Sequence, residues 1–233
     1  MIRRIFIVLV LVIAVAFVGL FGLKAWSDAH YFDGYDPALP LEAEHGETRV
    51  VDGMQKVFDV QSPARYRVTK VSFEARPDER VPTLLTFPVT FEGRLPVVVL
   101  LHGSHQEKEF VEEICTPFNE AGFAMVCFDQ YMRGERKVEG GAVAMIGAYR
   151  ERMWKTVHDT RRLIDYLETR EDIDPRRIYL CGASYGAITG TTVLAHEPRI
   201  RAAVLVVGGG NFPLMSESPV IQRELPGWAA PLV

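Results

Sequence analysis

Four short aliphatic runs constrain this chain more than any other feature. Residues 96–101 (PVVVLL), 123–128 (FAMVCF), 178–181 (IYLC) and 202–207 (AAVLVV) are continuous rather than alternating. Such runs mark strands buried on both faces, as in a parallel sheet. Helical patterns separate them. Residues 107–121, 142–170 and 184–195 read as helices, with Trp154, Val157, Ile164 and Leu167 on one face of the second. Asp174-Pro175 stops that helix, and Glu197-Pro198 ends the next. Buried strands alternating with helices predict the α/β class, a mostly parallel sheet with helices on both faces. Residues 65–73 alternate, and residues 80–87 carry Pro82 near their start. These two segments predict an antiparallel edge ahead of the parallel part.

A different kind of run opens the chain. Residues 5–23 are apolar throughout, preceded by Arg3 and Arg4 and ended by Lys24. Nineteen helical residues span roughly 28 Å, close to the hydrocarbon thickness of a bilayer. The expected division is a transmembrane signal anchor at 1–24, a polar linker at 25–46 and a domain at 47–233. The two arginines place the domain on the extracytoplasmic side. The alternative is a cleaved signal peptide, with Ser27-Asp28-Ala29 as a small-x-small site and a secreted product.

Net charge of −4 and the lack of a basic stripe argue against a nucleic-acid partner. Three cysteines without paired spacing suggest neither a disulfide framework nor a zinc site. No metal or other cofactor is expected. Cys127 and Cys181, inside predicted strands, read as small buried hydrophobes.

The chemistry concentrates in Gly182-Ala-Ser184-Tyr185-Gly186, where the third aliphatic run meets a helix. A serine hydroxyl is a weak nucleophile that must be held toward both substrate and base. A sharp strand-to-helix turn does this by strain, and Gly182 and Gly186 supply the room it needs. The N–H of Tyr185 stands at a helix N-terminus, where an oxyanion would be stabilised. The competing reading is a tight turn with Ser184 as a helix cap. Upstream, His102-Gly103-Ser104 ends the first buried run, and Ser104 or His105 offers a second N–H to the same oxyanion.

These motifs, together with Phe128-Asp129 and the amphipathic helix before the turn, resemble the α/β-hydrolase superfamily from about residue 60 onward. The likeness is to its esterase, dienelactone-hydrolase-like and prolyl-oligopeptidase-like branches. It implies Ser184 as nucleophile acting on an ester or related acyl bond of a small-molecule substrate. Dienelactone hydrolases carry a cysteine where this chain has Ser184, and full oligopeptidases carry a large extra domain. A serine peptidase of the oligopeptidase type and a catalytically inactive membrane-tethered binding module stay open as alternatives.

The superfamily orders its triad as serine, acid, histidine. After Ser184 the sequence has only His196, Glu197, Glu217 and Glu224 of the relevant types. His196 lies about 18 Å along the helix, out of hydrogen-bond reach. The expectation is therefore a fold shortened at its C-terminus, with base and acid beyond Val233. A sheet ended there would expose an apolar edge open to self-association. His102 and His105 are the nearest alternative bases. His158 and Asp159, neighbours on a helix, are no dyad. Asp159, Asp165, Arg161 and Arg162 read as helix-surface ion pairs. Asp129 is expected to bond the 131–134 turn.

Overall fold

A computed structural model describes residues 2–57 and 59–209. Two units separate, residues 1–36 and residues 37–233. In the first, α1 (Ile2–Ala29) is a single helix. Its stretch Val10–Ala29 is long and apolar enough to cross a membrane. Lys24 and Asp28 pair along its last turns.

The second unit is built on one seven-stranded sheet. Its elements are β1 (Glu44–Val57), β2 (Val60–Arg76), β3 (Glu79–Phe87), β4 (Leu95–Leu101), α2 (Phe110–Glu120), β5 (Ala124–Phe128), α3 (Ala142–Glu168), β6 (Ile173–Ala183), α4 (Tyr185–His196) and β7 (Ile200–Val206). Strand order is β1-β2-β3-β5-β4-β6-β7. From β5 through β4 and β6 to β7 all pairings are parallel, while β1, β2, β3 and β5 pair antiparallel. The sheet is thus mixed, and its parallel half contains the four aliphatic runs.

Every residue of β4 and β5 is buried. Val98 and Leu100 of β4 pack with Phe110, Val111 and Cys115 of α2, joined by Met125, Cys127, Tyr66 and Val68. On the opposite face, Leu101 and Leu180 lie beneath Gly190 of α4. Helices therefore cover both faces, and the alternation of β4 side chains sets which helix each residue meets.

The fourth aliphatic run departs from expectation. β7 is the edge strand of the described sheet, and Val204 and Val206 are exposed. Its partner β6 places Cys181 opposite Val204, and Cys181 is only half-buried, unlike Cys127. Aliphatic composition gives strand propensity; burial depends on what lies over the strand, which composition does not encode.

A second correction concerns charge. Asp159 and Arg162 are core residues, not surface ones. Asp159 of α3 is fully buried and accepts hydrogen bonds from Arg76 (2.7 Å) and Arg136 (2.6 Å). Glu79 takes Arg76 (2.8 Å), Arg136 (2.5 Å) and Lys155 (3.2 Å). These cations hold the Glu79 carboxyl down at about 2 against the penalty of burial. The cluster fastens the β2–β3 turn and the short 3-10 turn Gly134–Arg136 onto α3. Removing one partner from such a buried cluster typically costs about 3–5 kcal/mol, because it strands the others. Arg162 donates to the carbonyls of Leu39 (2.6 Å) and Pro40 (3.3 Å) and to Asp165 (3.0 Å). It ties the entry segment of the unit to α3. Asp165 also accepts from Arg199 (2.8 Å).

Candidate functional site

Ser184 sits between β6 and α4 with φ 51° and ψ −115°. A non-glycine residue there is strained by roughly 1–3 kcal/mol, and such strain persists only where the surroundings enforce it. Its side chain makes no capping hydrogen bond. The helix-cap alternative therefore does not describe this serine. Its backbone is pinned instead. The Ser184 N–H donates to Val206 O (2.9 Å), and its carbonyl accepts from Ala187 (2.9 Å) and Ile188 (3.2 Å).

The two glycines are explained by contact distances. A Cβ on Gly186 would lie 1.9 Å from the Leu101 carbonyl oxygen and 2.9 Å from that of His102. A Cβ on Gly182 would meet the Gly186 carbonyl oxygen at 2.5 Å. The first turn of α4 is thus pressed against the end of β4, and only glycine allows this. Strain recurs nearby. Met132, after β5, and Val207, after β7, also have positive φ (71° and 54°). All three strained residues follow the carboxyl ends of parallel strands, where open α/β sheets place their ligand sites.

The segment after β4 comes alongside. A Cβ on Gly103 would stand 3.6 Å from Ser184 Cβ. Ser104 follows in a turn with His105. Tyr185 is the first residue of α4, so its N–H stands in the N-terminal turn, at the positive end of the helix dipole. Ser184, Tyr185, Gly182, Gly186 and the Gly103-Ser104 segment therefore share one neighbourhood. His196 stands at the far end of α4, with its Nδ1 2.8 Å from Thr192 O.

His102 is fully buried. Its Nδ1 is 2.8 Å from Gly103 O, which can only accept. Its Nε2 is 3.3 Å from the Gln130 N–H, which can only donate. This bonding assigns the neutral ring with its proton on Nδ1. Burial lowers its pKa, with repulsion from Arg152 and Arg133 acting the same way. A ring with both nitrogens engaged has no lone pair to offer Ser184, so His102 does not serve as base. It holds the loop instead. Gln130 Nε2 donates to His102 O (2.8 Å), and Gln106 Oε1 accepts from Gly103 N–H (2.9 Å).

The bonds of the Asp129 carboxylate go to Lys108 and Glu135 rather than to the expected 131–134 turn. The carboxylate accepts from the Lys108 N–H (2.9 Å), Lys108 Nζ (3.0 Å) and the Glu135 N–H (2.9 Å). It therefore joins the loop after β4 to the loop after β5. Sequence reading missed His102, Gln106 and Gln130 as supports; polar residues directly after two buried strands were the available signal. It also missed Arg152 of α3, whose guanidinium carbon lies 3.7 Å from the centroid of the Tyr185 ring. Among the described residues no group of three or more His, Cys, Asp or Glu side chains could hold a metal ion.

Comparison with known proteins gives a consistent outcome. The profile of the family described as "Serine aminopeptidase, S33" matches residues 94–230. "Esterase YjfP" of Escherichia coli is 23% identical over 172 residues, covering 70% of this chain and 69% of that protein. "Putative esterase YitV" of Bacillus subtilis is 29% identical over 118 residues, 51% of this chain; the chain spans 46%, about half, of that relative. The solved acetyl xylan esterase from Paenibacillus sp. R4 superposes with a TM-score of 0.60 at 17% identity, covering 89% of this chain and 67% of that one. At that identity the likeness is one of fold.

The packing around the elbow makes a direct prediction. Gly186→Ala is expected to destabilise by at least about 2 kcal/mol, as overpacking against backbone does. Gly147→Ala, in α3 with open space around it, is expected to be neutral or stabilising by up to about 1 kcal/mol. Urea unfolding of the two variants checks this; equal midpoints would contradict the packing described.

Proposed function

The chain belongs to the α/β-hydrolase family described as "Serine aminopeptidase, S33", and on that premise we propose that it is a serine hydrolase of ester or related acyl bonds with Ser184 as nucleophile. The observation that carries this reading is the strained, uncapped Ser184 with the Gly103-Ser104 loop beside it.

In the proposed reaction Ser184 Oγ bonds to the carbonyl carbon as its proton passes to a base. The carbonyl π pair moves onto oxygen. That oxyanion is stabilised by the N–H groups of Tyr185 and Ser104, where the α4 dipole favours negative charge. Collapse breaks the ester C–O bond, the alcohol leaves with the proton, and an acyl-serine forms. Water repeats the attack and releases the acid. His102 and His196 are both otherwise engaged. The expected base and its acid partner fall outside the described residues.

The family description favours a second substrate class, a peptide, while the names of the relatives favour esters. We take the ester reading. Residues 5–23, with Arg3 and Arg4 before them, support a retained anchor with the domain on the extracytoplasmic side. A carbonate-resistant membrane pellet containing the full-length chain, with the domain reached by protease only from outside, is the expected result. Recovery of a shortened soluble chain would sink the anchor.

The catalytic proposal is tested with p-nitrophenyl acyl esters and an aminoacyl p-nitroanilide. The wild-type chain should cleave the esters at least about tenfold faster than Ser184→Ala, since a residual rate survives the loss of one triad member. The anilide should stay at background. Ester rates unchanged by Ser184→Ala would refute the nucleophile; cleavage of the anilide alone would favour the peptidase.

A further inference from the structure

Among the described residues, the buried cations are matched by acceptors, with one exception. Arg136 has Asp159 and Glu79; Arg162 has Asp165 and three or more carbonyls; Lys108 has Asp129, Glu109 and Glu135. Arg152 of α3 is as buried as these, at 5% exposure. Its Nε and Nη2 have no hydrogen-bond partner, and no carboxylate pairs with it among the described residues. The ionisable groups that act on it are Tyr185, Arg133 and Tyr149. Two are tyrosines, and the third is another cation. Arg133 also keeps a buried Nε without a partner.

A buried guanidinium that faces another cation and leaves two donors unused is costly. An anion would relieve that cost. The location is informative. The Arg152 guanidinium stacks on the ring of Tyr185, the residue directly after Ser184. His102, in the loop beside Ser184, feels the charge of both arginines. The N-terminus of α4 adds its own preference for negative charge. Arginine's planar fork suits a carboxylate, which it binds through paired N–H donors.

We propose that Arg152, assisted by Arg133, forms a subsite for a carboxylate carried by the substrate, so that this chain acts on esters bearing a free carboxylate group. The stacked Tyr185 ring fixes the plane of the guanidinium, and the two unused donors supply the bonds. The substrate class rests on the hydrolase reading above, but the binding claim does not depend on catalysis.

The test is therefore made on the full chain carrying Ser184→Ala, by calorimetric titration with monophenyl glutarate and with phenyl pentanoate. The two ligands share the phenyl ester and a similar chain; only the first carries a carboxylate. The expected result is at least about tenfold tighter binding of monophenyl glutarate, as for hydrogen bonds to a charged group. That preference should vanish in the Ser184→Ala, Arg152→Gln double variant and return in part with Arg152→Lys. Equal affinity for the two ligands, or binding of neither, overturns the subsite without any need for an Arg152 variant to fold. A preference that survives Arg152→Gln also overturns it. Because Ser184 is absent throughout, failure here leaves the nucleophile assignment intact, and failure of that assignment leaves this measurement readable.

Discussion

The carbonyl oxygen of Leu101 lies 1.9 Å from where a side-chain carbon on residue 186 would begin. Much of the site depends on that approach. It lets the first turn of α4 settle onto the end of β4. That position throws Ser184 into its strained conformation and brings the Gly103-Ser104 loop within contact of it. The parallel pairing of β4 with β6 aligns Leu101 with Gly182, so both strands end at one level. The hydrogen bond from Ser184 N–H to Val206 O extends the same level to β7. The strain is sustained by backbone contacts on two strands, not by the serine side chain, which leaves the hydroxyl uncommitted.

Charge organises the surroundings. Asp129 links the loops after β4 and β5 through Lys108 and Glu135. Asp159 and Glu79 fasten the β2–β3 turn and the 3-10 turn to α3. Both clusters are inside the protein, where an unmatched charge is heavily penalised, so each holds its segments in one arrangement. His102 is a neutral version of the same device, with each ring nitrogen assigned to one loop neighbour. Arg152 stands apart because its neighbours among the described residues supply π-electrons and positive charge but no acid.

Much of this was legible in the sequence, for reasons that differ by residue. Continuous aliphatic runs encode strands with two covered faces, so β4 and β5 were plain. Gly182 and Gly186 encode a close approach directly, since the absence of a side chain is the feature itself. The i, i+3 and i, i+4 spacing of charges on α3 misled. Asp159 and Arg162 look like solvent-facing residues on a helix wheel, but their partners come from 83 residues upstream (Arg76) and from the carbonyls of Leu39 and Pro40. Such contacts have no local signature. β7 misled in the opposite sense, because its composition suits burial while its position is at the edge of the described sheet. The expected base and acid concern positions outside the described residues. Arg152 carried no signal at all; an arginine on a helix acquires meaning only when the groups around it are known.

The central proposal is that backbone contacts hold Ser184 with its hydroxyl uncommitted, so that it can serve as the nucleophile. The most direct measurement is incubation of the full chain with a fluorophosphonate probe, followed by mapping of the modified peptide by mass spectrometry. The account predicts a single adduct on Ser184 that forms in folded protein and is lost on prior unfolding in urea. A folded chain that stays unlabelled, or one labelled equally before and after unfolding, would contradict it.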